Sequence, residues 1–341
     1  MDETFMDSFN AEDPSIRNVR KGTSPGLPDF AGAELAIDCA VCGAAVLRPV
    51  WTVRDTLLNS PGEFRIVRCP ECGTLRMSPR PPFEERRAAF SDLYPLFDWA
   101  LGRKWAEPEE RIARFAPQIA EITRRHRLGR LLDIGCGDGY FMLGMKQQGW
   151  DVRGIELNEK VAAFARDTLG LDVAGGAEHE VDWDGAYECI TLFGVIEDVD
   201  DPNSLLRRCH EHLAPGGLLV VQTHNIESWE AKRFGPSWFN VEAPRHVWHF
   251  APATLRRLIE NNHFKQDDLL HYGAAYVTER SIEIRRGRVF PSSALDRLTR
   301  KLVVVPAARI LPRLGQGIMI EAYCHAARAQ QEAPAGTGET R

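Results

Sequence analysis

The sequence predicts a doubly wound α/β fold, a mostly parallel sheet covered by helices on both faces, preceded by a small cysteine-bearing module. From Arg130 to about Tyr276, short apolar runs alternate with amphipathic stretches, the pattern of parallel strands joined by crossover helices. One of those runs, LLDIGCGDGY (Leu131 to Tyr140), passes from an apolar strand into a glycine-rich turn. Ahead of the alternating region stand two Cys-x-x-Cys pairs. A chain of 341 residues, 44% of them apolar, suffices for one sizeable core and an accessory module.

The elements follow in order. Strands are expected at Arg130 to Ile134, Asp151 to Glu156, Tyr187 to Phe193 and Leu218 to Gln222. Between them, helices from Tyr140 to Gln148 and from Lys160 to Leu169 stop at Gly149 and Gly170, which tolerate the left-handed backbone of a helix end. A third, Pro202 to Leu213, opens behind Asp201, whose carboxylate suits an N-cap. Upstream, helical patterns cover Glu84 to Phe90 and Glu107 to His126, with Pro108 placed for a first turn. Downstream, the basic amphipathic stretch Ser281 to Leu314 reads as a helical insertion before a last strand at Gly317 to Cys324.

These elements divide the chain into a disordered leader at residues 1–35, a cysteine module at 36–82 and a helical linker at 83–127. The main domain then spans 128–280, the insertion 281–315 and the last strand 316–328, with a disordered tail at 329–341. Leader and tail are polar, without sustained periodicity, and offer too little apolar surface to offset the entropy of ordering. The exit of the cysteine module is marked by the Pro-Arg-Pro-Pro run ending at Pro82.

Net charge is −6 and the basic residues are scattered, so no nucleic-acid footprint stands out and no nucleic-acid partner is expected. No basic stretch followed by an apolar core opens the chain, and no apolar run is long enough to cross a bilayer, so a cytoplasmic protein is expected. Four of the eight cysteines form the two close pairs and four stand singly, which does not read as a disulfide framework. Cys39-Ala-Val-Cys42 and Cys69-Pro-Glu-Cys72 are each followed by glycine, at Gly43 and Gly73, as suits a tight knuckle turning two thiolates to one ion. With strand-like runs at Ala45 to Val53 and Phe64 to Arg68 between them, the pattern reads as a zinc ribbon. Four thiolates leave no coordination position for water, so such an ion supports folding and not chemistry. A redox dithiol and an iron site are the alternatives.

In LLDIGCGDGY, Gly135, Gly137 and Gly139 let the backbone approach a ligand closely, which points to a nucleotide-like cofactor. Glu156 ends the next strand about twenty residues on, where a carboxylate accepts hydrogen bonds from ribose hydroxyls. Charge separates the candidates. Asp133 and Asp138 would repel the pyrophosphate of a dinucleotide, whereas a sulfonium bearing a free amino group suits them. The spacing is G-x-G-x-G instead of the dinucleotide G-x-G-x-x-G. An ordinary tight turn without a ligand is the bland alternative.

Together with YECITLFGVIEDVDDP (Tyr187 to Pro202), LAPGGLLVVQTHN (Leu213 to Asn225) and PRHVWHFAPATL (Pro244 to Leu255), this loop resembles the class I S-adenosylmethionine-dependent methyltransferases. The resemblance is to their bacterial small-molecule, ubiquinone-biosynthesis-like branch, and covers roughly Cys39 to Cys324. It implies a Rossmann-like, mostly parallel seven-stranded sheet, with S-adenosyl-L-methionine as cofactor. By position it places Asp133, Gly135, Cys136, Gly137 and Gly139 along the methionine part, Glu156 at the ribose, Ala177 and Glu178 near adenine, and Phe193 by the sulfonium. PRHVWHF would be a loop near the acceptor pocket. The chain departs from the pattern where relatives often carry Asp and His, having Gly194 and Asp198, and has His224 where proline is common. The cysteine module and the FSDLY segment (Phe90 to Tyr94) resemble those of sugar C-methyltransferases.

A sulfonium already makes its methyl group electrophilic, so the protein must chiefly hold the acceptor in line and exclude water. Where the acceptor loses a proton, His246 is the first choice as base, ahead of His249, with His224 and Glu197 as secondary candidates. A histidine bonded within the fold is the plain alternative. Tyr94, Trp238 and Phe239 are candidate walls of an acceptor pocket. Arg285, Arg286 and Arg288 suit a lid, a dimer surface, an anionic acceptor or a solvated helix face. The favoured function is methyl transfer to oxygen or carbon of a small molecule. Its rivals are an RNA or protein methyltransferase docking through the ribbon, a non-catalytic cofactor-binding protein and a nicotinamide-dependent oxidoreductase.

Overall fold

The computed structural model describes residues 39–327 apart from 46, 59, 61, 89 and 91–106. The expected leader and tail, and Tyr94, lie outside the described residues. The strands in chain order are β1 (Arg48–Val53), β2 (Phe64–Arg68), β3 (Leu75–Met77), β4 (Arg130–Ile134), β5 (Asp151–Glu156), β6 (Asp172–Gly175), β7 (Tyr187–Phe193), β8 (Leu213–His224), β9 (Trp248–His249), β10 (Phe264–Tyr272) and β11 (Met319–Ala326).

Seven of them form one sheet in the order β10-β11-β8-β7-β4-β5-β6, as the α/β reading predicts. The five strands from β6 to β8 are parallel, while β11 runs antiparallel between β8 and β10. A sheet covered on both faces needs strands apolar on both faces. That is what Cys189, Ile190 and Leu192 in β7 and Leu218 to Val221 in β8 supply, all of them fully buried. Asn158 Oδ1 accepts from the backbone N–H of Lys160 at 3.1 Å and opens the helix Glu159–Asp167. Asp201 Oδ1 does the same from Asn203 N–H at 2.9 Å for the helix Pro202–His212.

The smaller sheet, β1-β2-β3-β9, takes its fourth strand from the main domain. Leu75 and Arg76 of β3 pair antiparallel with His249 and Trp248 of β9. PRHVWHF is therefore in part a strand, where a loop was expected. Its backbone is held from both sides: Met77 N–H donates to Val247 O at 2.8 Å, and the N–H groups of Val247 and Trp248 donate to Glu197 O at 2.8 and 2.9 Å. The cysteine knuckles dock on the same core. Asn203 Nδ2 donates to Ala40 O at 2.9 Å and Asn261 Nδ2 to Val41 O at 2.8 Å, while Val41 packs with Trp248, Leu205 and Leu258.

A buried ion pair fixes this junction. Arg245 Nη2 lies 2.9 Å from Asp55 Oδ1, both side chains wholly buried, and Arg245 Nε reaches Glu242 Oε1 at 3.3 Å. Burial alone would raise the Asp55 carboxyl, but the facing guanidinium and the N–H donors of its turn outweigh it and hold the carboxyl below its usual value. The basic segment after β10 is largely paired with itself, Arg286 and Arg288 both meeting Asp296 at 3.2 and 2.7 Å. Arg285 Nη1 donates to Arg233 O at 2.9 Å. Among the described residues no helix is long and apolar enough to cross a membrane.

Removing one partner of a buried pair strands the other's charge, so Arg245→Met is expected to destabilise the protein by about 3–5 kcal/mol in chemical denaturation. A change below about 1 kcal/mol would mean that Asp55 is solvated or neutral in the folded chain.

Candidate functional site

The sheet order turns back between β4 and β7: the chain passes from β4 to β5 on one side and from β7 to β8 on the other. A crevice opens beyond the carboxyl ends of such a pair. The turn leaving β4 places Gly135, Gly137 and Gly139 at φ of +71°, +54° and +81°. A Cβ on Gly135 would stand 2.5 Å from Val195 Cγ2, and one on Gly139 would stand 2.7 Å from Leu171 Cδ1, so a side chain at either would displace a neighbour. A Cβ on Gly137 would meet nothing within 4 Å. This is the point of the turn that a ligand can approach.

Glu156 closes the turn from β5. Its Oε2 accepts from Gly137 N–H at 2.9 Å and its Oε1 from Asn158 N–H at 2.8 Å, leaving a second lone pair on each oxygen. Burial pushes this carboxyl up to about 7, against the pull of the two backbone donors. Asp133, 2% exposed at the end of β4, accepts from Thr191 Oγ1 at 2.7 Å, and burial pushes it to about 7 as well. Asp138 differs. Arg111 Nη2 lies 2.6 Å from its Oδ2, and the guanidinium stacks 4.2 Å from the centre of the Tyr140 ring. The loop thus presents Asp133 and Glu156 as acids without a cationic partner among the described residues, while Asp138 already has one.

Cys136 is buried, and its Sγ fills the space beside Gly154, where a Cβ would come within 2.6 Å, so only its backbone faces the turn. Ala177 and Glu178 follow β6, whose Gly175 pairs with Glu156, and Gly176 N–H donates to Glu156 O at 2.9 Å. The carbonyl of Glu178 is taken by Trp183 Nε1 at 3.0 Å and by Arg208. Phe193, half-buried at the end of β7, meets Phe141 edge-on with centroids 4.9 Å apart.

Beside this crevice, buried acids and histidines converge from three segments: Glu197 and Asp198 after β7, His224 at the end of β8, and Glu242, His246 and His249 around β9. His224 Nδ1 lies 3.4 Å from Glu197 Oε1, and its Nε2 lies 2.9 Å from His249 Nδ1. The His224 and His246 rings stack with centroids 4.7 Å apart, and Trp238 covers His224 edge-on at 5.5 Å. His246 Nδ1 is bonded to Asn240 O at 2.9 Å, which makes it an N–H donor and turns Nε2 to Glu242 and Asp198, at 3.8 and 3.9 Å. Burial lowers His224, but for His246 the surrounding carboxylates of Glu242, Asp198 and Glu197 overcome burial and raise it. Burial, reinforced by Glu197 and Glu242, raises Asp198. Glu197 Oε2, Asp198 Oδ1 and His249 Nε2 are buried with no hydrogen-bond partner among the described residues.

The four paired cysteines form a third cluster. Their sulfurs lie within 4.8 Å of one another, with Cys39–Cys72 at 3.6 Å and Cys42–Cys69 at 3.5 Å. Those separations are far too long for a disulfide bond of about 2.05 Å. They approach the roughly 3.8 Å edge of a tetrahedron with metal–sulfur bonds of about 2.3 Å. The two knuckles repeat one pattern: Cys39 N–H donates to Ala44 O and Cys69 N–H to Thr74 O, both at 2.9 Å, around the left-handed Gly43 and Gly73.

The predicted residues thus fall into two groups at the strand ends and a separate cysteine cluster. Asp133, the three glycines and Glu156 come together at the turn, and His224, His246, His249 and Glu197 come together beyond β7 and β8. Trp238 joins the second group, while Phe239 packs on Tyr276 at 6.1 Å. Asp198, Asn240 and Glu242 were missed as members, although each sits in an apolar or aromatic run (VIEDV, WFNVEAP) where a charge or amide needs a reason.

Comparison with known proteins agrees with this geometry. Residues 103–268 match the family described as a methyltransferase domain. The ubiquinone biosynthesis O-methyltransferase of Bordetella avium is 33% identical over a match covering 37% of this chain and 58% of that protein. That of a Caulobacter strain is 36% identical, covering 34% and 49%. The chain therefore spans about half to six-tenths of the length of these curated relatives. A methyltransferase structure from Archaeoglobus fulgidus is similar at 19% identity and a TM-score of 0.44, covering 64% of this chain and 94% of that one. The stretch that matches a methyltransferase domain is thus the one that carries the glycine turn and its facing glutamate.

Proposed function

We propose that the protein transfers a methyl group from S-adenosyl-L-methionine to an oxygen or carbon of a small-molecule acceptor, a sugar or a biosynthetic intermediate. The observation that carries this reading is the pair of buried acids Asp133 and Glu156, without a cationic partner among the described residues, beside the open backbone of Gly137. When bound, the cofactor supplies an electrophilic methyl group on a sulfonium. Asp133 then faces its amino group, Glu156 takes its ribose hydroxyls on the free lone pairs, and Gly137 lets the methionine part lie against the backbone. Ala177 and Glu178 border the adenine and Phe193 the sulfur.

The acceptor side falls to the cluster beyond β7 and β8, walled by Trp238. An acceptor hydroxyl there gives its proton to His246 Nε2, whose ring is oriented by the Asn240 carbonyl. The bound cofactor would supply the methyl carbon to that oxygen, its carbon–sulfur electron pair remaining on sulfur. Water is kept out by burial: His224, Glu197 and His249 are each at most 2% exposed. The curated relatives named as O-methyltransferases support an oxygen acceptor. The cysteine cluster is assigned structural zinc on the strength of its four soft ligands and their spacing.

Three outcomes are expected. Incubated with methyl-labelled cofactor and a metabolite extract, the protein labels a small molecule; label confined to RNA or protein, or to nothing, contradicts the reading. Cofactor affinity, followed by calorimetry, weakens about tenfold from about pH 7.5 to about pH 6, because protonating Glu156 or Asp133 removes the negative charge and acceptor capacity that hold the ligand. Glu156→Gln lowers affinity throughout and reduces that pH slope, and an unchanged profile would remove Glu156 from the ribose. Cys69→Ser releases bound zinc in elemental analysis and lowers the melting temperature, whereas full metal retention would refute the four-thiolate site.

A further inference from the structure

We infer that Glu197, His224 and His246 form a second metal site, one that takes a divalent first-row transition ion apart from the cysteine cluster. A carboxylate oxygen of Glu197 and one nitrogen from each histidine lie within 4.8 Å of one another. Two imidazoles and a carboxylate on one side of an ion, with the other positions open, is a donor set that suits such ions. Donors on one ion stand roughly 3–3.5 Å apart, so rotation of the side chains by about an ångström closes the set. His224 Nδ1 and Glu197 Oε1 are already at 3.4 Å.

Two features beyond the grouping favour an ion. The first is the orphaned polar atoms. Glu197 Oε2 and Asp198 Oδ1 are buried without a hydrogen bond among the described residues. Buried carboxylate oxygens are costly unless paired or bound to a metal. The second is the outer layer. His246 holds its far nitrogen to Asn240 O and His224 holds its far nitrogen to His249 Nδ1, both at 2.9 Å, which fixes each ring and turns its other nitrogen to the carboxylates. Ligand histidines are oriented in this way.

The position gives the ion a role that rests on the methyl-transfer reading. Glu197 and His224 follow the carboxyl ends of β7 and β8, beside the crevice at the switch between β4 and β7, and His246 is the partly exposed member. Open coordination positions on that side would receive an acceptor that offers two neighbouring oxygens, a vicinal diol or a hydroxy-carbonyl compound, as a chelate. In the loaded protein His246 Nε2 is then a ligand, and the ion takes over the task of acidifying the acceptor hydroxyl. Ion and imidazole base are alternatives at one place, and metal analysis decides between them.

The full-length protein, its cysteine cluster first saturated with zinc, is titrated with manganese(II) and cobalt(II). The expected result is one further equivalent of ion per chain, seen as immobilised manganese in electron paramagnetic resonance and as cobalt absorption without thiolate charge-transfer bands. Glu197→Gln and His246→Gln, checked for folding by circular dichroism, each weaken the second ion at least tenfold while retaining the zinc. Cys69→Ser shows the reverse, losing zinc and retaining the second ion. A wild-type protein that takes up no ion beyond the cysteine-bound one overturns the site, and so does a second ion whose affinity neither cluster variant changes. Neither readout involves methyl transfer, so the metal site can fail while the methyltransferase reading stands, and the converse holds.

Discussion

Two carboxylates buried at the ends of adjoining strands, with no cationic partner among the described residues, set the terms for the rest of this structure. Asp133 and Glu156 are each pushed to about 7 by burial, a cost the fold carries in its ligand-free form. A pocket built this way rejects a pyrophosphate and favours a ligand bringing positive charge and hydroxyl donors. The sheet makes the arrangement possible. Parallel strands point their carboxyl ends the same way, and the reversal of order between β4 and β7 leaves room between them. The glycines then let the backbone serve as part of the wall.

The cysteine module is joined to that pocket and does not simply precede it. β9 pairs with β3 on one side, while the neighbouring Val247 and Trp248 amides bond to Glu197 O on the other, so the small sheet is linked by hydrogen bonds to the residue that anchors the acid–histidine cluster. His249 belongs to both, as a strand residue of the small sheet and as the partner of His224. The wholly buried Arg245–Asp55 pair ties the same loop to the turn after β1. Under the zinc assignment proposed above, an ion held by the four cysteines would stabilise the backbone that positions His246 without taking part in chemistry.

Much of this was legible in the sequence because local rules and tertiary context agree there. β4, β5 and β7 fall on the predicted residues, since each is an apolar run bounded by a glycine, a cap or a polar turn, and parallel buried strands have little freedom to slide. β6 and β10 were not foreseen. β6 is four residues long at the sheet edge, and β10 (FKQDDLLHY) is polar and partly exposed, earning its place by pairing with β11. β8 begins at Leu213 instead of Leu218, because backbone pairing with Tyr187 recruits the Pro-Gly-Gly stretch that reads locally as a turn. The residues of the glycine turn are contiguous in sequence and so were readable there. The acid–histidine cluster was not, since Glu197, His224 and His246 meet only once β7, β8 and the β9 loop are folded together. Asp138 shows the limit of reading charge from sequence: only the fold brings Arg111 to it.

The central claim, that the crevice beside Gly137 is made for a cation-bearing nucleoside, is tested most directly by calorimetric titration of the wild-type protein at about pH 8, where both buried acids are ionised. The account predicts one equivalent of S-adenosylmethionine bound per chain, displaced by its demethylated thioether product, and no heat from nicotinamide dinucleotides. Saturable binding of a dinucleotide at that crevice, or no binding of the sulfonium nucleoside, would contradict it.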